Sequence, residues 1–380
     1  MNHTLNELQR ITHRLAPGRQ DLYRRLVESA LMTPLHQLGP DATGLPQHHV
    51  YLKLEYQNDV GCHHLRLYPF VFALNEAEGK IIPGKTPVVE ASVGGAACAF
   101  AYCARFLGFN APRPPLAVVP WNVSPARKKI LQHLGAEIHL APMGDRDTTV
   151  VELRRVLARD RELVRLNGGT RLYCTTKIKP GAEVAYGGVV EEVLEAGVRP
   201  DILLSVVGSG ATMSGMGRVL KSECPQSRIY VVEHEKTPVN SSLARGEVVS
   251  YPEPPHEYQG SGHWGVPSSL LNINFALVDG YIQFSSEDAE QARLRVLESE
   301  EINVGLTTSG CLAALKKLPP SRWRRVSRAT LAVNGFLRKE GSRTRKLAVP
   351  SSSLPVCARS ISVSRVFRCN VICVDSCIFF

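Results

Sequence analysis

From about residue 86 onward, short unbroken apolar runs alternate with stretches whose apolar residues recur every third or fourth position. An unbroken run fits a strand buried on both faces, and the longer period fits a helix packed on one face. Thr86–Ala91 (TPVVEA) is predicted as such a strand, with a helix over Ala96–Leu107. Leu116–Pro120 (LAVVP) is the next strand. A helix follows over Ser124–Leu134, with Ser124 as N-cap, Pro125 at the first helical position and Gly135 as its stop. Glu137–Leu140 begins another strand. The second half repeats this logic: a helix over Val189–Ala196 closed by Gly197, then a buried strand Asp201–Val207. A glycine-rich turn, Gly208–Gly217, leads into a helix over Met216–Cys224, and Arg228–Glu233 is the next strand. Ser285–Ser299 is a helix with Ser286 as N-cap and acids in its first turn, and Ala329–Val333 is the last strand. Such alternation predicts an α/β protein with mainly parallel sheets covered by helices.

The 380 residues leave room for about two domains. Net charge is +10, but eight basic residues and only two acids follow Phe336, so six of the ten excess charges sit in that tail. The body is mildly basic, with no basic stripe interleaved with stacking aromatics, so no nucleic-acid partner is expected. Of ten cysteines, Cys62, Cys98, Cys103, Cys174, Cys224 and Cys311 are scattered without metal-ligand spacing and read as reduced, buried thiols. Cys357, Cys369, Cys373 and Cys377 crowd the tail with no histidine beside them, so no metal is expected. No apolar run reaches the roughly 18 residues of a membrane span. The N-terminus has arginines but no apolar signal core, and Glu7 and Asp21 speak against a transit peptide, so a cytoplasmic location is expected.

The strongest local signal is DILLSVVGSGATMSGMG at Asp201–Gly217. A buried strand ending in a glycine turn that opens a helix directs backbone N–H groups outward, which suits a phosphate. A dinucleotide site is one reading, with Gly208, Gly210 and an acid at Glu233, but Met213 occupies the third glycine position. A second is the G-T-G-G-T loop of pyridoxal phosphate (PLP) enzymes, matched at three of five positions by Gly208-Ser209-Gly210-Ala211-Thr212. A purely structural turn is the third.

Further landmarks occur in a fixed order. They are Thr33-Pro34-Leu35, then Lys53-Leu54-Glu55 with Asn58 and Gly61, then Val119-Pro120, Arg127-Lys128 and Gly135-Ala136-Glu137. His256–Pro267 (HEYQGSGHWGVP) and Val304–Gly310 (VGLTTSG) complete the series. From about Leu26 to Phe336 the order resembles the cysteine synthase and cystathionine β-synthase branch of fold-type-II PLP proteins, within the tryptophan synthase β-like superfamily. The resemblance implies two three-layer α/β domains with a PLP cleft between them, a homodimer, and β-replacement or β-elimination on serine- or cysteine-type amino acids. It places an N-terminal extension at 1–19, a smaller domain at 51–164 and a larger one at 20–50 plus 165–336, while the aperiodic, basic stretch 337–380 reads as a disordered tail or an unnatural reading-frame end.

The resemblance also assigns roles. The family's N-P-T-G-S-x-K-D-R falls without gaps on Asn58–Arg66, so His64 stands where relatives carry the lysine that joins the cofactor as an imine. Imidazole forms no stable imine, although with an ordinary pKa near 6.5 it can move a proton. A proton relay through His63 or His64 and a decayed site are the two alternatives. Lys53 matches a structural strand lysine, and Lys80 and Lys85 are expected to face solvent. The substrate-carboxylate loop corresponds to Ser92-Val93-Gly94-Gly95-Ala96, where Gly95 and Ala96 replace asparagine and threonine. A following conserved stretch is replaced by Thr176-Lys177 and Lys179-Pro180-Gly181-Ala182, which adds positive charge near the cleft. Gly208, Ser209, Gly210, Ala211 and Thr212 would hold the phosphate, and Thr308, or Ser309, would meet the ring nitrogen. The expected function is therefore a cysteine synthase-like PLP protein with impaired chemistry. The alternatives are an inactive paralogue that binds a phosphate ligand or a partner subunit, and a nucleotide-dependent oxidoreductase.

Overall fold

The computed structural model describes residues 2–46, 48–92, 94–142, 148–176, 179–247, 249, 257–258, 260–261, 273–318, 329–332 and 337–339. Helices α1 (Asn2–Thr12) and α2 (Pro17–Ala30) open the chain, followed by β1 (Leu35–Leu38), the short α3 (Pro40–Thr43) and β2 (His49–Lys53). The smaller unit comprises α4 (His64–Ala77), β3 (Val88–Ala91), α5 (Gly95–Phe106), β4 (Leu116–Pro120), α6 (Pro125–His133), β5 (Glu137–Ala141), α7 (Thr148–Asn167) and β6 (Tyr173–Cys174). The larger unit continues with α8 (Gly187–Glu195), β7 (Ile202–Val206), α9 (Ala211–Glu223), β8 (Arg228–His234), α10 (Val239–Ala244), β9 (Gly280–Phe284) and α11 (Ser286–Glu300). It closes with β10 (Ile302–Val304), α12 (Leu306–Leu315), β11 (Ala329–Ala332) and β12 (Leu337–Lys339).

Six strands form one sheet in the order β1-β2-β11-β7-β8-β9, parallel except for the antiparallel β1. Four form a second, all-parallel sheet in the order β5-β4-β3-β6. The unbroken apolar runs have a simple cause. Along β7, Leu203 enters the core shared with α8 and α9, while Ile202 and Leu204 enter the core under α11 and α12. In the smaller sheet Val88, Ala117 and Val119 face the α4–α5 core, and Val89, Ala91 and Val118 meet Leu153 of α7. Each sheet is thus the middle of three layers.

Several expectations change. Strand β2 lies in the six-stranded sheet, so a boundary at 51 would cut a strand, and β6 carries the smaller sheet past 164. Residues 1–19 are not an appendage among the described residues. Leu8 and Thr4 are buried, the Thr4 N–H donates to Glu191 Oε1 (3.2 Å), and Arg19 pairs with Glu76 (2.5 Å). Leu337–Lys339, expected within a disordered tail, pairs antiparallel with β10; the tail from 340 onward lies outside the described residues. Helix α9 starts at Ala211 rather than Met216. Its glycines serve packing: a Cβ on Gly215 would sit 2.0 Å from the Glu183 carbonyl oxygen. Helix α11 is capped by Ser285, not Ser286, through Ser285 Oγ accepting the Asp288 N–H (3.1 Å). Ser124 caps α6 as expected, accepting the Arg127 N–H.

Candidate functional site

In parallel α/β sheets, ligands gather beyond the C-terminal ends of the strands. Two helix starts lie at that edge here, and a third packs against one of them. Beyond β7, Gly210 takes φ +86° and precedes α9, which has no side-chain cap. A Cβ at Gly210 would stand 2.5 Å from the backbone of Ile273, so glycine is required by both conformation and space. Residues 206–210, Thr212 and Met213 line a small cavity, and the hydroxyl residues Ser209 and Thr212 are largely buried. An uncapped thirteen-residue helix with a threonine in its first turn and a glycine approach fits a phosphate.

Beyond β3, α5 begins at Gly95 behind Gly94, again without a side-chain cap. Ser92 is buried, and its Oγ accepts the Gly94 N–H at 3.3 Å. Val93 lies outside the described residues. The first side chains of α5, Ala96 and Ala97, carry no polar atom.

The third start is α4, whose first residue is His64. Asn58 shapes the turn before it. Its Oδ1 accepts the N–H groups of Val60, Gly61 and Cys62 (3.1, 2.9 and 3.2 Å), and its Nδ2 donates to the Cys62 carbonyl (2.7 Å). Cys62 Sγ donates to the Gly95 carbonyl (3.3 Å), which joins this turn to the start of α5. His63 and His64 are both buried with ring centroids 4.1 Å apart, and His63 lies 5.6 Å from the Tyr186 ring. Tyr186 belongs to the segment 182–186 that Gly215 of α9 presses against. The structure therefore brings the starts of α4, α5 and α9 into one packed assembly.

Thr308 is buried in the first turn of α12. That turn stands at the end of β9, where a Cβ on Gly310 would touch the Phe284 ring at 2.7 Å. Ser309, the neighbour of Thr308, donates its Oγ hydrogen to the Leu306 carbonyl (2.7 Å).

Lys53 is far from idle. Its ammonium contacts Thr33, Glu192 (2.5 Å) and Glu55 (3.9 Å) with 1% of its side chain exposed. Arg66 binds the same two carboxylates: Nε to Glu55 Oε2 (2.7 Å), Nη1 to Glu192 Oε1 (2.6 Å), and Nη2 to Glu55 Oε1 (2.8 Å) and Glu192 Oε2 (3.0 Å). Burial would push the Glu55 carboxyl up, but the adjacent Arg66 guanidinium, Lys53 and the Thr33 hydroxyl hold it below its ordinary value. Burial lowers the Lys53 amine, only partly offset by Glu55 and Glu192. This two-cation, two-anion cluster was not anticipated. Lys53 and Glu55 lie within one quoted motif, and Arg66 closes the next, but nothing in the sequence points to Glu192.

Other expectations resolve locally. Lys80 is half exposed and shares Glu78 with Lys179 (2.7 and 2.6 Å), so these two add little free positive charge. Lys177 lies outside the described residues, as does most of His256–Pro267. Glu233 Oε2 accepts the N–H groups of Asn240 and Ser241 (2.9 and 3.3 Å) and so anchors α10. With Met213 buried as well, the features that would serve a ribose and close dinucleotide packing are otherwise employed. Among the described residues, no helix is long and apolar enough to cross a membrane.

Comparison with known proteins agrees with this geometry. A cysteine synthase of Staphylococcus aureus is 30% identical over 271 residues, covering 70% of this chain and 80% of the relative. Cysteine synthase 3 of Caenorhabditis elegans is 27% identical over 307 residues, covering 80% and 84%. The solved structure of O-acetyl serine sulfhydrylase isoform 3 from Entamoeba histolytica shares the fold, with TM-score 0.64 and 20% identity over 82% of this chain and 87% of that one. Residues 28–326 match the family described as pyridoxal-phosphate dependent enzyme, a span that contains all three helix starts and Thr308; the chain belongs to that family.

Proposed function

We propose that this chain is a cysteine synthase-like protein that seats pyridoxal phosphate at Gly208–Thr212 without a covalent tether, with its β-replacement and β-elimination chemistry impaired. The observation that carries this is His64, a buried imidazole opening α4 where the aligned motif has its lysine, while the nearby motif lysine, Lys53, is committed to Glu55, Glu192 and Thr33. When bound, the cofactor supplies an electron sink for bonds at the amino acid's α-carbon. The first N–H groups of α9 and the Thr212 hydroxyl would hold the phosphate. A hydroxyl at Thr308, rather than a carboxylate, would leave the ring nitrogen of a bound cofactor unprotonated. His63 and His64 can hold or move a proton but offer no primary amine. Gly95 and Ala96 leave only backbone N–H groups for a substrate carboxylate.

The same loss of polar side chains at Gly95 and Ala96 favours a second reading, a non-catalytic relative that binds a phosphate ligand or an active partner subunit. A homodimer is the assembly we propose, testable by light scattering of the purified chain. The functional test is a visible spectrum with PLP, followed by borohydride and peptide mass mapping, beside a sulfhydrylase assay. Uptake without a pyridoxyl-labelled lysine, and with turnover near background, is expected. A stoichiometric label on one lysine with robust turnover would overturn the proposal.

A further inference from the structure

We infer that Glu233 sets the charge that the Gly208–Thr212 turn accepts: an anion seated there enters together with a proton from solvent, which Glu233 holds against the Asn240 amide. The inference rests on the proposal above that this turn seats a phosphate. Strands β7 and β8 are parallel neighbours, with Val206 beside Val232 in register. Val207 therefore lies opposite Glu233, and neighbouring strands run about 4.8 Å apart. Ile229 and Val231 enter the core that also holds Met213 and Met216 of α9, so the alternation of a strand turns Glu233 to that same side. A carboxyl group thus stands one strand spacing from the start of the turn, on the face that carries the helix whose first N–H groups would hold the phosphate.

Glu233 and Asn240 are both fully buried. Glu233 Oε2 accepts the Asn240 and Ser241 N–H groups, whereas Oε1 has no hydrogen-bond partner among the described residues. The Asn240 amide lies close enough to lower the carboxyl, yet neither its Nδ2 nor its Oδ1 makes a hydrogen bond of normal geometry. Nothing pins that amide, so it can serve both states of its neighbour. Its Nδ2 donates to an ionised carboxylate, and its Oδ1 accepts from a protonated one. The charged and titratable groups facing Glu233 are Tyr281 on β9 and Arg245, which follows α10. Arg245 is exposed and paired with Glu247 (2.9 Å). Strand β7 offers no charge, α9 carries charge only from Arg218 onward, and His234 turns to the opposite face against Tyr258 and Phe284. Burial already raises the Glu233 carboxyl, against smaller lowering effects from Ser241 and Asn240. A second negative charge arriving beside it raises it further, so seating the anion and taking up the proton favour one another.

The test uses the full-length chain and sulfate, a tetrahedral dianion that does not itself titrate near neutral pH, so a proton taken up with it goes to the protein. Sulfate affinity is read from the amide NMR shifts of residues 208–212 at pH 5.5 and pH 8, beside the infrared difference spectrum on sulfate addition. Binding about tenfold tighter at pH 5.5 is expected, the effect of a one-unit rise in the carboxyl's pKa, with the stretch of a protonated carboxyl appearing as sulfate binds. Glu233→Gln should keep the seat, lose that infrared band and lose most of the pH dependence. Asn240→Leu removes the donor to the ionised form and should move the pH dependence to higher pH, which provides a reading should Glu233→Gln not fold. Equal pH dependence in wild type and Glu233→Gln, no infrared band in wild type, or an unmoved profile in Asn240→Leu would overturn the inference and leave the seat standing. Failure of both sulfate and PLP to shift the 208–212 amides would overturn the seat, and the inference with it.

Discussion

Replacing Arg66 with methionine tests the buried ion cluster at its centre. Arg66 has 1% of its side chain exposed and directs all three guanidinium nitrogens at Glu55, Glu192 and Thr33. Methionine fills much of the stem volume but leaves two buried carboxylates facing one ammonium. Breaking a buried pair from one side costs about 3–5 kcal/mol. At a urea dependence of about 3 kcal/mol per molar, that lowers the unfolding midpoint by roughly 1–1.7 M. Two controls separate charge from packing. In Arg66→Met with Glu55→Gln, one cation and one anion remain, so the pair should cost less than the two single changes summed, by about 1–3 kcal/mol. The pH response should also invert. In the native cluster Glu55 lies below its ordinary value, so its contribution is present above the unfolded carboxylate pKa and is lost as pH falls through the folded value. Without Arg66, burial dominates and raises that carboxyl, so the variant loses stability as pH rises. Its deficit should be smaller at pH 5 than at pH 7.5. A loss under about 1 kcal/mol, strict additivity, or an equal deficit at both pH values would refute the reasoning.

Gly215→Ala would place a Cβ 2.0 Å from the Glu183 carbonyl oxygen, and a loss of about 3 kcal/mol in denaturant unfolding is expected; a neutral outcome would mean that α9 does not press on 182–186. His64→Lys alone should not restore sulfhydrylase turnover, because Gly95 and Ala96 still offer no polar side chain, and robust activity in that variant would show that this loop suffices. Burial, with a smaller contribution from Lys236, holds His234 down at about 4, and its Nδ1 accepts the Lys236 N–H (3.1 Å) while Nε2 meets Ser286 Oγ (3.0 Å). Because the unfolded chain takes up that proton first, wild-type stability should fall as pH drops from about 6.5 towards 4. His234→Gln should flatten that part of the profile; superimposable urea-midpoint curves would count against it.

The elements legible in the sequence were those with one local cause. Leu116–Pro120 and the Ser124 cap needed only a buried strand and a capping hydroxyl, and both appear where expected. The start of α9 was misplaced because glycine was given a turn's role. Gly215 and Gly217 are helical and small because residues 182–186 and Ile229 lie against them. A boundary at 51 splits strand β2 because its partner β11 is 280 residues away in register, His49 beside Ala329. The family was legible from motif order, because its landmarks are local in sequence even where their partners are not. The Glu192 contact to Arg66 spans 126 positions and leaves no local trace.

Wedged between the histidine turn and the first turns of α9, residues 182–186 act as a gauge block. They set the separation between the imidazole pair and helix α9, and so couple the opening of one unit to a helix of the other. A shift imposed at one end is transmitted to the other through the close contacts at Tyr186 and Gly215.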